Sequence, residues 1–323
     1  MIAIILIGLA AGCASALMFA SVMSGALISL ALSMLAPLPL MVAALCWGPL
    51  SATIGGIAAA SGFVAIFGLR YGVAFTIAAA LPAWWLGHLA LLGRPVATPE
   101  LSSGAHSTPD HIEWYPIGRI LLWIAAIAIL SAFASWLIVG KNDDAIAAAM
   151  RAGLTKVLAT RDGLSSSDIE RLADAFVTIF RGLSAMLVMT TLTLNLWLAA
   201  KISATSGRLR RPWPDLKSTA LPPMTLVALC IALAFCFVGA AVSTAAQIMA
   251  AALMMAYALV GLAVLHTLTL RAKSRALLLT GTYGILVLLP WTILLMTVLG
   301  LIDAIFGWRQ RYLRGKPPPL PAA

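Results

Sequence analysis

MIAIILIGLAAGCASALMFASVMS, residues 1–24, opens a run that continues to Leu69 without a single Asp, Glu, Lys, Arg or His. A soluble domain is about 25% charged; here 10% of the 323 residues are charged and 62% are hydrophobic. A transmembrane helix needs about 20 mostly apolar residues, and the apolar stretches of this chain suffice for eight to ten. No alternation of polar and apolar residues marks a barrel. The fold class read from this pattern is all-α: a polytopic transmembrane helical bundle of about 8 to 10 spans, with an extramembrane amphipathic helical segment.

The spans are read at 1–23, 25–49 (interrupted by Pro37 and Pro39), 51–69, 72–92, 116–139, 181–200, 222–241, 244–270 and 276–306, the last broken at Pro290. Ala10-Ala11-Gly12-Cys13 has the outline of a lipoprotein cleavage box. A cleaved leader, however, needs a basic start and a polar mature region, so a retained first helix is expected. The chain divides accordingly into a four-helix region 1–92, a loop 93–115, two spans within 116–200 that carry an outer segment 140–180, a basic loop 201–220, C-terminal helices 221–308 and a basic, Pro-rich tail 309–323.

Charge assigns the sides, because cytoplasmic loops accumulate Lys and Arg. Lys201, Arg208, Arg210, Arg211 and Lys217 face Asp215 alone; Arg271, Lys273 and Arg275 follow, and the tail adds Arg309, Arg311, Arg314 and Lys316. These segments are expected inside. Residues 140–181 balance six basic against six acidic side chains and are expected outside. Both termini are then cytoplasmic, in a bacterial inner membrane, provided that 276–306 crosses twice as a tight hairpin of short helices around Pro290.

The outer segment has its own pattern. Ile146, Met150, Leu154, Val157 and Leu158 share a helical stripe after Asn142-Asp143-Asp144, which suits an amphipathic helix on the membrane surface. A turn is expected at Gly163. Ser167 with Glu170 three residues on reads as a capping box, opening a helix that continues through Arg181 into the span ending at Ala200.

No Asp, Glu, Lys or Arg lies in the middle of a span, and intramembrane charge is the usual mark of ion coupling. The candidate ligand-binding groups are therefore neutral or aromatic: Trp84, Asn195, Gln247, Tyr257 and His266. Gly8, Gly12, Ala16 and Ala20 recur every four residues and let another helix approach closely; Gly55, Ala59, Gly56 and Ala60 do the same in the third span. Cys13, Cys46, Cys230 and Cys236 have neither disulfide nor zinc spacing. No metal, cofactor or nucleic-acid partner is expected. The sequence contains no His-Glu-x-x-His, Gly-x-Ser-x-Gly or nucleotide-binding glycine loop, so no enzymatic activity is expected, and active transport needs energy from another subunit.

Three patches carry a family resemblance. The run Gly300-Leu301-Ile302-Asp303-Ala304-Ile305-Phe306-Gly307-Trp308-Arg309 resembles the closing motif of the YybS-like bacterial membrane proteins, domain of unknown function family 2232. Gly307 and Trp308 stand where that pattern has an acidic residue and Phe. Leu194-Asn195-Leu196-Trp197, the basic loop, Trp213-Pro214 and Leu221-Pro222 are similar to the family's Asn-containing helix, linker and re-entry. Gly261-Leu262-Ala263-Val264-Leu265-His266 is similar to its Gly-Leu-Ala-x-x-His segment. Gly300, Asp303 and Arg309 are read as a structural motif on this basis.

The resemblance implies a distant likeness to the substrate-binding membrane components of energy-coupling-factor transporters, which dock through small-residue helices onto a separate ATPase-driven scaffold. It transfers no ligand residues. The expected function is a small-molecule-binding transporter component without its own ATPase, its partners being the lipid bilayer and a separate membrane scaffold or ATPase subunits. The alternative is a structural or assembly factor whose basic loops engage lipid or protein.

Overall fold

A computed structural model of the chain describes residues 1–96, 111–139, 166–216 and 219–314, with Ala148 and Ala152 as single positions. The surface helix expected over 142–158, the turn at Gly163 and the tail beyond Arg314 lie outside the described residues. Among those described, the architecture is a multi-pass helical membrane bundle. Seven helical segments are long and apolar enough to cross a membrane: Ile2–Ser24, Ile28–Trp47, Pro49–Phe67, Leu69–Ala90, Ile117–Ala134, Gly182–Thr205 and Val242–Leu268. Three shorter apolar helices join them: Met224–Phe235, Arg275–Leu288 and Pro290–Phe306.

We number the helices α1 (Ile2–Ala20), α2 (Leu27–Met34), α3 (Pro37–Trp47), α4 (Pro49–Phe67), α5 (Leu69–Phe75), α6 (Leu81–Ala90), α7 (Ile117–Val139), α8 (Ser166–Thr205), α9 (Met224–Phe235), α10 (Ala240–Leu268), α11 (Arg275–Leu288), α12 (Ile293–Phe306) and α13 (Trp308–Arg314). Prolines set the interruptions. Pro37 lacks an N–H and begins a new helix after a turn at Leu35, so α2 and α3 are two pieces of one span. Pro82 removes the donor that would bond Ala78, and the preceding turn widens to a π-helical one over Thr76–Ala80, with Leu81 donating to Thr76. Pro290 opens a short 3₁₀ turn that divides 276–306 into two short apolar helices, α11 and α12, at the break expected there. The expected helix across Arg181 is also present: α8 is continuous for 40 residues.

The loop 93–115 is not wholly irregular. Gly93–Val96 (β1) and His111–Trp114 (β2) pair antiparallel, with Arg94 opposite Glu113 and their side chains 2.7 Å apart. The exposed pair contributes little; the ribbon brings Tyr115 back to the end of α6, where its N–H donates to the Leu92 carbonyl.

Packing divides the chain into two units, residues 1–124 with 191–215 and residues 125–190 with 216–323. The α7 and α8 helices each contribute to both. In the first unit α1 meets α4 through Gly8 and Gly12: a Cβ at Gly8 would strike the Ser51 carbonyl, one at Gly12 the Gly55 carbonyl, and one at Gly55 the Gly8 carbonyl. The steps of four run in the same direction, so the helices are parallel. Further along α1 the buried side is Gly8, Gly12 and Ser15, while Ala16 and Ala20 are only half-buried. Phe19, Phe63 and Phe75 close this region with ring centroids 5.1–5.5 Å apart.

In the second unit Ala132, Ala185, Ile248 and Ala252 form a core from α7, α8 and α10. Here α10 and α12 cross as closely as the first pair: a Cβ at Gly261 would strike the Met296 carbonyl, and one at Gly300 the Tyr257 carbonyl. The Thr297 hydroxyl donates to the Met254 carbonyl at 3.1 Å, which gives the same parallel sense. Lipid supplies little hydrophobic drive between helices, so such backbone approach is what holds them. By contrast, α11 buries none of its residues, as suits a helix facing lipid.

Candidate functional site

Asn195 is the one fully buried amide among the described residues, and its setting follows from Pro37. The turn between α2 and α3 leaves the Met34 carbonyl without a helical partner, because the Leu38 N–H donates to the Leu35 carbonyl. Asn195 Nδ2 donates to the Met34 carbonyl at 2.9 Å and to the Thr191 carbonyl of its own helix at 2.8 Å. Ser15 Oγ donates to the Ala36 carbonyl at 2.6 Å. Both amide protons are thereby committed, which orients the side chain and leaves Oδ1 buried with no partner. An orphaned buried acceptor costs about 1–3 kcal/mol. The site thus offers one fixed acceptor in an uncharged surrounding, suited to a neutral donor.

The other polar groups of the first unit gather where α6, the ribbon and α7 meet. Trp84 stacks on His88, with centroids 6.5 Å apart, and meets Trp85 at a tilt, 5.5 Å away. Trp85 also meets Trp123 edge to face at 5.0 Å, and Trp123 Nε1 donates to the Tyr115 hydroxyl at 3.3 Å. Trp85 Nε1 is buried and unpaired.

Gln247, Tyr257 and His266 all lie on α10 in the second unit. Nineteen residues separate the first from the last, about 28 Å at 1.5 Å per residue, so they do not converge on one ligand. Two have a partner one turn back on the same helix: Gln247 Nε2 donates to Ser243 Oγ at 3.0 Å, and His266 Nδ1 lies 2.9 Å from the Leu262 carbonyl; Tyr257 is fully buried. His266 also meets Tyr283 edge to face at 5.9 Å. A shallow apolar groove along α11 is lined by Leu279, Val287 and Leu288, with the Thr280 and Tyr283 side chains as its polar groups.

Asp303 and Arg309 form a closed site. Gly307 adopts a left-handed conformation (φ 63°) that ends α12 and turns α13 back. The Arg309 N–H then donates to Asp303 Oδ1 at 2.8 Å, while Nε and Nη2 reach Oδ2 at 2.7 and 2.6 Å. Arg309 Nη1 donates onward to the Thr219 carbonyl at 2.8 Å. Both side chains are buried, and the carboxylate is saturated by the guanidinium fork and a backbone donor. The chemistry of this cluster is anchoring: it ties α12 and α13 to the segment before α9. Sequence spacing shows that Asp303 reaches Arg309 only through a bend at Gly307; the onward contact to Thr219, 90 residues away, has no sequence signal.

The comparisons with known proteins fit this picture. The family model described as predicted membrane protein (DUF2232) matches residues 13–304, which include the Asn195 and Gly261 patches and Asp303. No curated protein and no solved structure matches the chain. With nine-tenths of its length under that match, the chain belongs to the DUF2232 family of predicted membrane proteins.

Proposed function

We propose that this protein is the membrane-embedded component of a transporter, binding a small uncharged or amphipathic ligand and drawing energy from a separate ATPase. The observation that carries the reading is Asn195: a fully buried amide whose two protons are fixed on backbone carbonyls and whose buried Oδ1 has no partner, beside an interrupted span. Interrupted helices are where many transporters place polar ligand contacts. The absence of charge from the middle of the spans favours a neutral ligand over an ion. The distant likeness to energy-coupling-factor components that the family resemblance implies points the same way. On the charge pattern, the protein sits in the bacterial inner membrane with both termini cytoplasmic.

Affinity purification from native membranes tests this, combined with thermal-shift screening of small neutral compounds. Recovery of a membrane scaffold or ATPase, and a ligand-dependent shift lost in Asn195→Ala, supports it. Repeated purification without such a subunit, together with no shift, counts against it.

The second reading, a structural or assembly factor, is favoured by the basic segment 201–211, whose cations lie over aromatic rings at one end of the first unit. The geometry of Arg309 sets how it is tested. A truncation at residue 309 removes the buried partner of Asp303, so the informative truncation removes 315–323 only. Unchanged insertion and function after that truncation leave the tail without a role.

A further inference from the structure

The basic segment folds back because of one glycine. α8 ends in a left-handed Gly207 (φ 66°), with the Gly207 N–H donating to the Ala204 carbonyl at 3.0 Å and the Arg208 N–H to the Ser203 carbonyl at 2.9 Å. This stop reverses the chain and lays Arg208–Trp213 across the end of the first unit. Ser203 is fixed against α3 by the Cys46 thiol, 3.1 Å away.

Three cations are then held over indole rings. Arg208 lies 4.9 Å from the Trp47 ring centroid, Arg211 lies 5.9 Å from Trp114, and Lys201 lies 5.5 Å from Trp213. Each ring is on a different element: the end of α3, strand β2 and the returning loop. None of the three cations has a carboxylate partner among the described residues; Arg211 Nη1 makes one long contact, 3.4 Å, to the Ala90 carbonyl. Burial pulls the Arg211 guanidinium below its ordinary pKa, so its charge is held at a desolvation cost that an anion would relieve. A guanidinium lying on an aromatic face keeps its N–H fork free at the edge, and that fork matches phosphate oxygens.

Below the cations the surface is apolar. On α8, Leu194, Trp197 and Lys201 fall at steps of three and four on one face, and Leu194 and Trp197 are 48% and 44% exposed. Indole rings prefer the headgroup level of a bilayer, so a phosphate there has an acyl-chain path beneath it. This distinguishes a lipid from a free anion.

We propose that Lys201, Arg208 and Arg211, held over Trp213, Trp47 and Trp114, form a binding site for the phosphate headgroup of an anionic phospholipid whose acyl chains lie along Leu194 and Trp197. The site is separate from the Asn195 reading, and neither result decides the other.

Native mass spectrometry of the full chain, delipidated and titrated with phosphatidylglycerol or phosphatidylcholine, tests it. The wild-type protein should retain phosphatidylglycerol in preference to phosphatidylcholine, and Arg208→Gln and Arg211→Gln should each weaken that retention about fivefold, as one interfacial charge does. Arg210→Gln, an exposed charge without a ring beneath it, should change little. Equal retention of the two lipids by the wild-type protein overturns the site without any variant. An effect of Arg210→Gln as large as that of Arg208→Gln overturns it in favour of diffuse charge. Inorganic phosphate that displaces phosphatidylglycerol at millimolar concentration overturns the lipid assignment in favour of a free anion.

Discussion

The first unit buries an amide with one hydrogen-bonding position open; the second buries a carboxylate and a guanidinium with every reachable partner engaged. Asn195 meets Met34 and Thr191 and leaves Oδ1 unpaired. Asp303 and Arg309 meet each other three times and reach Thr219. Around both, the helices pack by the same device, a parallel crossing through glycine: Gly8, Gly12 and Gly55 in one unit, Gly261 and Gly300 in the other. The difference therefore lies in the polar groups rather than in the scaffold. A saturated pair specifies where α12 and α13 go, and has nothing left with which to bind. An open acceptor is tolerated by a packed unit at a cost, and a ligand's donor removes that cost.

The largest effect is expected at the closed site. Asp303→Asn leaves a buried guanidinium without its counter-charge, and breaking a buried pair in this way costs about 3–5 kcal/mol. Melting in detergent should show the loss. Asp303→Leu combined with Arg309→Leu should recover part of it, because no unpaired charge then remains. A double variant as unstable as the sum of its singles would mean that the two residues act independently and that the pair is not the anchor.

Next come the crossings. A leucine at Gly12 or at Gly300 puts a side chain where a carbonyl of the facing helix sits, and overpacking costs about 1–3 kcal/mol. Both should destabilise to a similar degree. Tolerance at Gly12 with loss at Gly300 would show that the two crossings are not equivalent, and would break the comparison at its scaffold level. Smaller still is Thr297→Val, which deletes the hydroxyl donor to the Met254 carbonyl and keeps the shape; a single hydrogen bond is worth about 1 kcal/mol. A melt unchanged by Thr297→Val assigns the holding role to the Gly261–Gly300 contact alone.

How far the sequence showed this depended on whether partners were near in the chain. The spans, the interruption at Pro37 and the helix break at Pro290 follow from apolar length and missing N–H donors, both local properties. The Gly8–Gly12 spacing marked a close-packed face, yet the buried side continues through Ser15 rather than Ala16, since its hydroxyl was needed by the Ala36 carbonyl. The ribbon Gly93–Val96 with His111–Trp114 was missed because its strands are four residues each and contain Pro95. Asn195 was legible as a polar residue in a span, but its partner Met34 is 161 residues away and its value depends on which of its atoms remain unpaired. The grouping of Gln247, Tyr257 and His266 by residue type had no counterpart in space: one helix spreads them along its length.

The open acceptor at Asn195 is the claim on which the proposed function turns, and co-purification tests it most directly. The wild-type chain and Asn195→Ala would each be extracted from native membranes, their fold confirmed by melting, and their bound small molecules identified by mass spectrometry. The account predicts a neutral, donor-bearing compound retained by the wild-type protein and reduced about tenfold or more in the variant, the loss of one well-placed hydrogen bond to a buried partner. The same set of compounds from both proteins, or none from either, would contradict it.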